Sequence, residues 1–349
     1  MWAWLGVRLG RAALAAWLIA SAVFVLSRLA VPPPEQRLLE QTDALGSAGS
    51  QAAQRIGQQA VRHRLGLDEP AFYVRRDATG HWRWQGLPNQ YHTWLLGLLH
   101  GQLGTSYRDG QPVGEQLRPA LLCTLPLVGL ALLLSTALAL ALALYLAAGR
   151  PGHWLLAAGL TGMQALPLFV LGLGLLLLLA NPAVLNIMPP AEPGSLPAET
   201  DTLPWLADYL PRLVLPVACL VLGSLPELTL PLAAALQHEL GSPYAVAARA
   251  RGLGPARLLW RHALPNAVLP LLSALAGLLP SLAAGAVVVE VLFALPGMGR
   301  LLAEAAAARD YPVLVAGVLL TAAARLLALL LADIAHLWLD PRLRAAPQP

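Results

Sequence analysis

Apolar residues come in six long blocks along this chain, and polar residues are gathered between them. The blocks run over about Val7–Val31, Pro119–Ala148, His153–Ala180, Tyr209–Gln237, Pro265–Phe293 and Pro312–Trp338. Each reaches the roughly 20 residues a helix needs to cross a bilayer. They are rich in Leu and Ala and lack the period-two alternation of a membrane barrel strand, so helices are expected, because only helices and closed barrels satisfy every backbone group in lipid. The first block opens with Arg8 and Arg11, is long for a signal peptide and is followed by no small-x-small cleavage pattern. The expectation is an all-α integral membrane protein with six transmembrane helices.

The polar stretches assign a side to each end. Arg150 stands between blocks two and three, Arg249, Arg251, Arg257 and Arg261 between four and five, and Arg342 and Arg344 after block six. The stretch between blocks three and four holds Glu192, Glu199, Asp201 and Asp208 with no basic residue. Positive loops stay in the cytoplasm. Both termini and the 244–265 segment are then cytoplasmic, and Pro32–Arg118 lies outside. That outer region mixes acids and bases, has a Gln/Ala/Gly/Ser-rich run near Gly46–Ala60, and clusters Phe72, Tyr73, Trp82 and Trp84 in a pattern that suits a small aromatic core or a membrane interface. The chain thus divides into an N-terminal transmembrane helix (1–31), an extra-cytoplasmic region (32–118), a membrane domain (119–338) with a cytoplasmic loop at 242–264, and a cytoplasmic tail (339–349).

Composition narrows the chemistry. The chain is 57% hydrophobic and 12% charged, about half the charge of an ordinary soluble domain. In such a chain the net charge of +4 gives no reason to expect a nucleic-acid partner; the solvent it faces is lipid. Lysine is absent throughout, so the chain carries no Gly-Lys-Ser/Thr phosphate loop. Cys123 and Cys219 both fall in apolar blocks and read as small core residues. No His/Cys/Asp/Glu grouping has metal spacing and no G-x-S-x-G or H-E-x-x-H occurs, so neither a metal site nor an enzyme is expected. His238, Glu239 and His262 read as solvated loop residues.

One basic segment interrupts the apolar pattern. Ser242-Pro243 predicts a helix start, with a hydroxyl cap and proline at the first helical position. Tyr244, Ala247, Ala248 and Arg251 share a face at helical spacing, and Gly252 is placed to stop the helix. Gly254-Pro255 starts a second short helix carrying Arg257 and Arg261, and Pro265 leads into the next apolar block. The prediction is a jointed pair of short helices at the membrane surface.

"AARARG" (Ala247–Gly252) followed nine residues later by "HALP" (His262–Pro265) resembles the EAA loop of ABC-importer permeases. Ala247, Ala248, Gly252, Leu264 and Pro265 fall on the positions of that loop; Val246 stands at its Glu position and His262 at its Ile position. "LLWRHALPNAVLP", "FVLSRLA", "LGTSYRDGQPV", "VVVEVLFALPGMGRLLAEAAAARDYPV" and "LDPRLR" are similar to stretches of the dipeptide/oligopeptide/nickel permeases of the B type. Two outer features depart from it: Pro32-Pro33-Pro34 replaces the family's Pro-Gly-Asp-Pro, and His81–Gln90 looks inserted. The resemblance implies a type I permease fold in a bacterial inner membrane and no cofactor of the chain's own. It implies a similar second permease subunit, two cytoplasmic ATPases that use the ATP, and an extra-cytoplasmic solute-binding protein. It places Tyr244, Ala247, Ala248, Arg249, Arg251, Gly252, Leu253, Arg257, Arg261, His262 and Pro265 in a loop that couples to the ATPase. Short peptides are the implied cargo, with nickel or another small solute as the alternative. Phe293–Tyr311, with Glu290, Pro296, Gly297, Gly299 and Asp310, is expected at the outer mouth, as a turn and a short alanine-rich helix.

A stand-alone secondary transporter is the competing class. It needs ionisable residues in mid-membrane or paired broken helices. Glu227 between Pro226 and Pro231, Glu290, Arg325 and Asp333 are the candidates, the last two also suiting a structural ion pair, and no internal repeat accompanies them.

Overall fold

A computed structural model describes residues 2–29, 69–76, 81–181 and 209–339. The run at 46–60, the Pro32–Pro34 triplet, the acidic residues of 192–208 and the tail arginines lie outside the described residues. In chain order the elements are α1 (Trp2–Leu29), strands β1 (Val74–Arg76) and β2 (Trp82–Trp84), α2 (Gln90–Leu99), α3 (Val113–Ala147), α4 (His153–Gln164) and α5 (Leu168–Leu175), which continues as a π-helical turn, Leu176–Ala180. They are followed by α6 (Val214–Gly241), α7 (Pro243–Ala250), α8 (Pro255–Leu258) with a second π-helical turn, Leu259–Ala263, then α9 (Leu264–Leu292), α10 (Met298–Ala308) and α11 (Tyr311–Leu339).

Among the described residues three helices are long and apolar enough to cross a membrane: Val113–Ala147, Val214–Gly241 and Tyr311–Leu330; the pair α4–α5 makes a fourth if it is one bent span. Within α1 and α9 the apolar stretches Gly10–Ala22 and Gly277–Leu292 are shorter. The block expected as one helix over His153–Ala180 is bent by 108° at residues 165–167. Pro167 causes the break: it has no N–H to give α4 and adopts ψ 141°, while its carbonyl accepts from Val170 and Leu171 to start α5. The second block starts earlier than expected, at Val113, and α3 carries Pro119 and Pro126 inside it.

The described residues fall into two compact units, the first drawn from 1–16, 115–309 and 320–349, the second from 17–114 and 310–319. In the first unit α6 is the central helix, burying Leu220, Leu228, Leu232 and Leu236 among others. It packs on α9, α4 and α5. Glycines let these helices close on one another: a Cβ at Gly223 would lie 2.8 Å from the Leu168 side chain, and one at Gly285 3.0 Å from those of Leu168 and Leu220. Cys123 and Cys219 are buried, unpaired thiols.

In the second unit Phe24 of α1 is the hub of an aromatic cluster, with ring centroids 5.5 Å from Phe72, 5.3 Å from Tyr91 and 5.0 Å from Trp94. β1 and β2 pair antiparallel, Arg75 opposite Arg83. Tyr73 stacks on Trp84 at 5.6 Å, and His92 accepts or donates at 3.0 Å from the Tyr73 hydroxyl. Phe72 and Tyr73 thus join a small core, whereas Trp82 and Trp84 remain about 70% exposed (71% and 68%). The buried Asn89 caps α2, its Oδ1 accepting from the His92 N–H at 2.8 Å.

Candidate functional site

The basic segment folds as the two-helix element its sequence predicts, and its glycine is the joint. α7 ends at Ala250; Arg251 is the cap and Gly252 turns left-handed, with φ +82°. The Gly252 N–H then donates to the Arg249 carbonyl at 2.9 Å and the Leu253 N–H to that of Ala248 at 3.2 Å. Together these form the paired bonds of a Schellman stop, which satisfy two carbonyls that the helix itself leaves open. Pro243 and Pro255 occupy the first positions of α7 and α8.

The start of α7 differs from expectation. Ser242 is the cap residue, but its hydroxyl makes no bond to α7. It turns back and donates at 2.6 Å to the Glu239 carbonyl, which also accepts the Ser242 N–H at 3.2 Å. Ser242 directly follows Gly241, the last residue of α6, where carbonyls lie beyond the reach of further helical N–H groups. Arg249 does the same from farther along, its Nη2 donating to the Leu240 carbonyl at 2.9 Å. Glu239, expected to be a solvated loop residue, is instead half-buried at the centre of a cluster. Its Oε2 accepts from the Tyr244 hydroxyl at 2.6 Å and from Asn266 Nδ2 at 3.1 Å, and Asn266 also reaches the Tyr244 oxygen at 3.2 Å. Three elements, α6, α7 and α9, are tied at one point. Burial, followed by this hydrogen bond, holds the Tyr244 phenol above its ordinary pKa and keeps it a donor.

The rest of the segment points outward or packs beneath. Ala245, Leu258 and Ala263 are fully buried and seat the element. Leu253, Ala248 and His262 are half-buried, and Ala247, Arg251, Arg257, Arg261 and Pro265 are exposed. Val246 and Trp260 are more than half exposed. The result is a rigidly tethered hairpin of short helices whose outer side offers arginines and apolar groups together. Asn266 escaped the sequence reading because nothing local marks it; its partners lie 22 and 27 residues away.

The second group of singled-out residues, at the end of α9, forms a carboxylate-capped turn. After Leu292 the chain turns through Ala294 (φ +55°) and Pro296 into α10. Gly297 precedes α10 and has no side chain with which to cap it. Glu290, wholly buried, supplies the missing acceptor. Its Oε2 accepts from the Gly299 N–H at 2.6 Å and the Arg300 N–H at 3.2 Å, while Thr124 donates to its Oε1 at 2.6 Å. The Thr124 oxygen in turn accepts from the Met298 N–H at 2.8 Å. The first three N–H groups of α10 are thereby satisfied by one carboxylate and one hydroxyl, with the negative charge at the positive end of the helix dipole. Both glycines are dictated by contact: a Cβ at Gly297 would lie 2.1 Å from the Glu290 carboxyl carbon, and one at Gly299 2.4 Å from the Val287 backbone. Thr124 was not anticipated.

Asp310 belongs to the other unit. Buried there, it accepts from the Ser106 hydroxyl and from the N–H groups of Tyr107 (3.1 Å) and Arg108 (3.4 Å), so it fixes the "TSYRDG" turn. Glu290 thus holds α10, and Asp310 holds the 105–110 turn. Arg325 is exposed on α11.

Both the hairpin and the Glu290 turn lie inside a match that spans residues 121–345, to the binding-protein-dependent transport system inner membrane component family. The chain belongs to that family. Among its relatives, the probable D,D-dipeptide transport system permease protein DdpB of Escherichia coli K12 is 32% identical over 92% of this chain and 91% of its own length. The dipeptide transport system permease protein DppB of the same strain is 31% identical over 80% of this chain and 83% of that protein. The oligopeptide transport system permease protein AppB of Bacillus subtilis is 33% identical over 73% and 79%. This chain is therefore a permease of a binding-protein-dependent ABC transport system, a multi-pass inner-membrane protein and not a catalytic subunit. Partner components such as an ATPase and a binding protein go with that class.

Proposed function

We propose that the chain is one permease half of an ATP-driven importer of short peptides, paired with a similar permease, two cytoplasmic ATPases and an extra-cytoplasmic solute-binding protein. The observation that carries the coupling role is the tethered, glycine-stopped hairpin at Pro243–Ala263, with Arg251, Arg257 and Arg261 exposed on it. Closure of the ATPase pair around ATP pushes on this hairpin, and the Glu239–Tyr244–Asn266 cluster passes the movement to α6 and α9 together. ATP is bound and spent on the partner chains. The Glu290 turn and α10 sit at the outer mouth, under the docked binding protein, in a fold of six spans whose domain limits are those set out above.

The sidedness has a direct check. With Cys123 and Cys219 removed, single cysteines at Ser50 and Ser195 are expected to react with an impermeant thiol reagent applied to intact spheroplasts. Reaction only after lysis reverses the topology.

Cargo is read from uptake. Cells with and without this chain are compared for accumulation of labelled di- to hexapeptides, and peptide uptake is expected to vanish with the chain. The names of the relatives support this outcome. Unchanged peptide uptake accompanied by a fall in nickel accumulation replaces the peptide by the metal.

A further inference from the structure

A cavity of about 440 Å³ opens at the break between α4 and α5, lined by Gln164, Leu168, Ser224, Glu227, Ser281 and Gly285, among others. The volume is in the range of small-ligand sites. Glu227 lies midway along α6, between Pro226 and Pro231, and its side chain is exposed to this space. No described residue pairs with its carboxylate. Two features suit a water-accessible cavity. An ionisable residue in the middle of a span faces a bundle interior or an aqueous cavity rather than lipid. The interrupted backbone at 165–167 is of the kind tolerated at membrane depth only where it is buried in protein or lines such a cavity.

Among the described residues the lining has one carboxylate, one amide and two hydroxyls, and no basic group. The Ser224 hydroxyl is already engaged, 2.7 Å from Ser135. What remains is a negative site suited to a cation. Resting on the importer reading above, we infer that Glu227 lines the translocation path and draws in the cationic end of the cargo, which for a peptide is its α-ammonium or a basic side chain. A single carboxylate that no described residue pairs with attracts such a group without enclosing it, which suits a path that must release what it admits.

The test uses the complete transporter in membranes, in a background lacking Cys123 and Cys219, with Ser281→Cys as reporter. Modification rates are measured with a cationic and an anionic methanethiosulfonate of similar size, with Glu227 intact and in Glu227→Gln. A water-filled, negative path predicts that the reporter is modified and that the cation-to-anion rate ratio falls about 10-fold in Glu227→Gln. An unreactive reporter, or an unchanged ratio, overturns the inference. Adding Gln164→Glu to Glu227→Gln restores a carboxylate to the same cavity and is expected to restore the ratio; this also shows that the Gln variant is folded. In parallel, uptake of a Lys-containing dipeptide relative to a Glu-containing one is compared between the same variants. Because the binding protein is unchanged, a fall in that ratio in Glu227→Gln reads the permease alone. If neither dipeptide enters even with Glu227 intact, the peptide reading fails, while the reagent ratio still decides the role of Glu227.

Discussion

Replacing Gly252 with valine is expected to abolish coupled transport while leaving the chain in the membrane. The residue sits at φ +82°, a conformation costing a side-chain-bearing residue about 1–3 kcal/mol, and the cost is highest when the side chain is β-branched. A Cβ there would meet nothing within 4 Å, so the effect is one of backbone conformation and not of crowding. A graded series follows. Gly252→Asn retains most uptake, because asparagine tolerates the left-handed region; Gly252→Ala loses part of it; Gly252→Val loses more than about 10-fold, the equivalent of roughly 1.4 kcal/mol of misplacement. Membrane levels of the chain stay constant across the series, since α7 and its neighbours are still seated by Ala245, Leu258 and Ala263. The measurement is energy-dependent uptake together with co-purification of the ATPase. Wild-type uptake by Gly252→Val would remove the hairpin from the coupling mechanism.

Gly297→Ala should act on stability instead. Its methyl group would need the place of the Glu290 carboxyl carbon, 2.1 Å away, and that carboxylate has nowhere else to go without dropping the N–H groups of Gly299 and Arg300. Each buried group left unsatisfied costs about 1–3 kcal/mol, so the turn loses about 2–6 kcal/mol in all. Glu290→Ala leaves the same two donors open without the clash and should be nearly as damaging. Glu290→Gln keeps one acceptor oxygen and should lie between. Melting of the detergent-solubilised complex and the amount of chain retained in membranes both report the effect. A Gly297→Ala protein as stable as wild type would mean that the carboxylate is not needed to hold α10. Because the Gly252 stop and the Glu290 turn share no hydrogen-bond partner, the double variant with Gly252→Ala should show additive losses.

What the residues alone determine is the part of the structure governed by short-range rules. Long Leu/Ala blocks become helices because lipid leaves the backbone no other partner. The stop at Gly252, the proline starts at Pro243 and Pro255, and the helix over the alanine-rich run to Ala308 need only neighbours within one turn, and all appear where the residue types put them. The family itself is legible for the same reason, in contiguous motifs such as "AARARG" and "HALP". Tertiary structure alone decided the rest. Ser242 stands between two helix ends, and its hydroxyl bonded the end of α6 and not the start of α7. Glu239 passed from surface residue to hub only once α9 brought Asn266 against it. Thr124 met Glu290 across 166 residues of chain, and no local pattern encodes such a meeting. The 108° bend at Pro167 shows the limit most plainly: proline announces that a helix is interrupted, but the angle is set by how Leu168 seats against Gly223 and Gly285 of the neighbouring helices, a matter of which surfaces close on which.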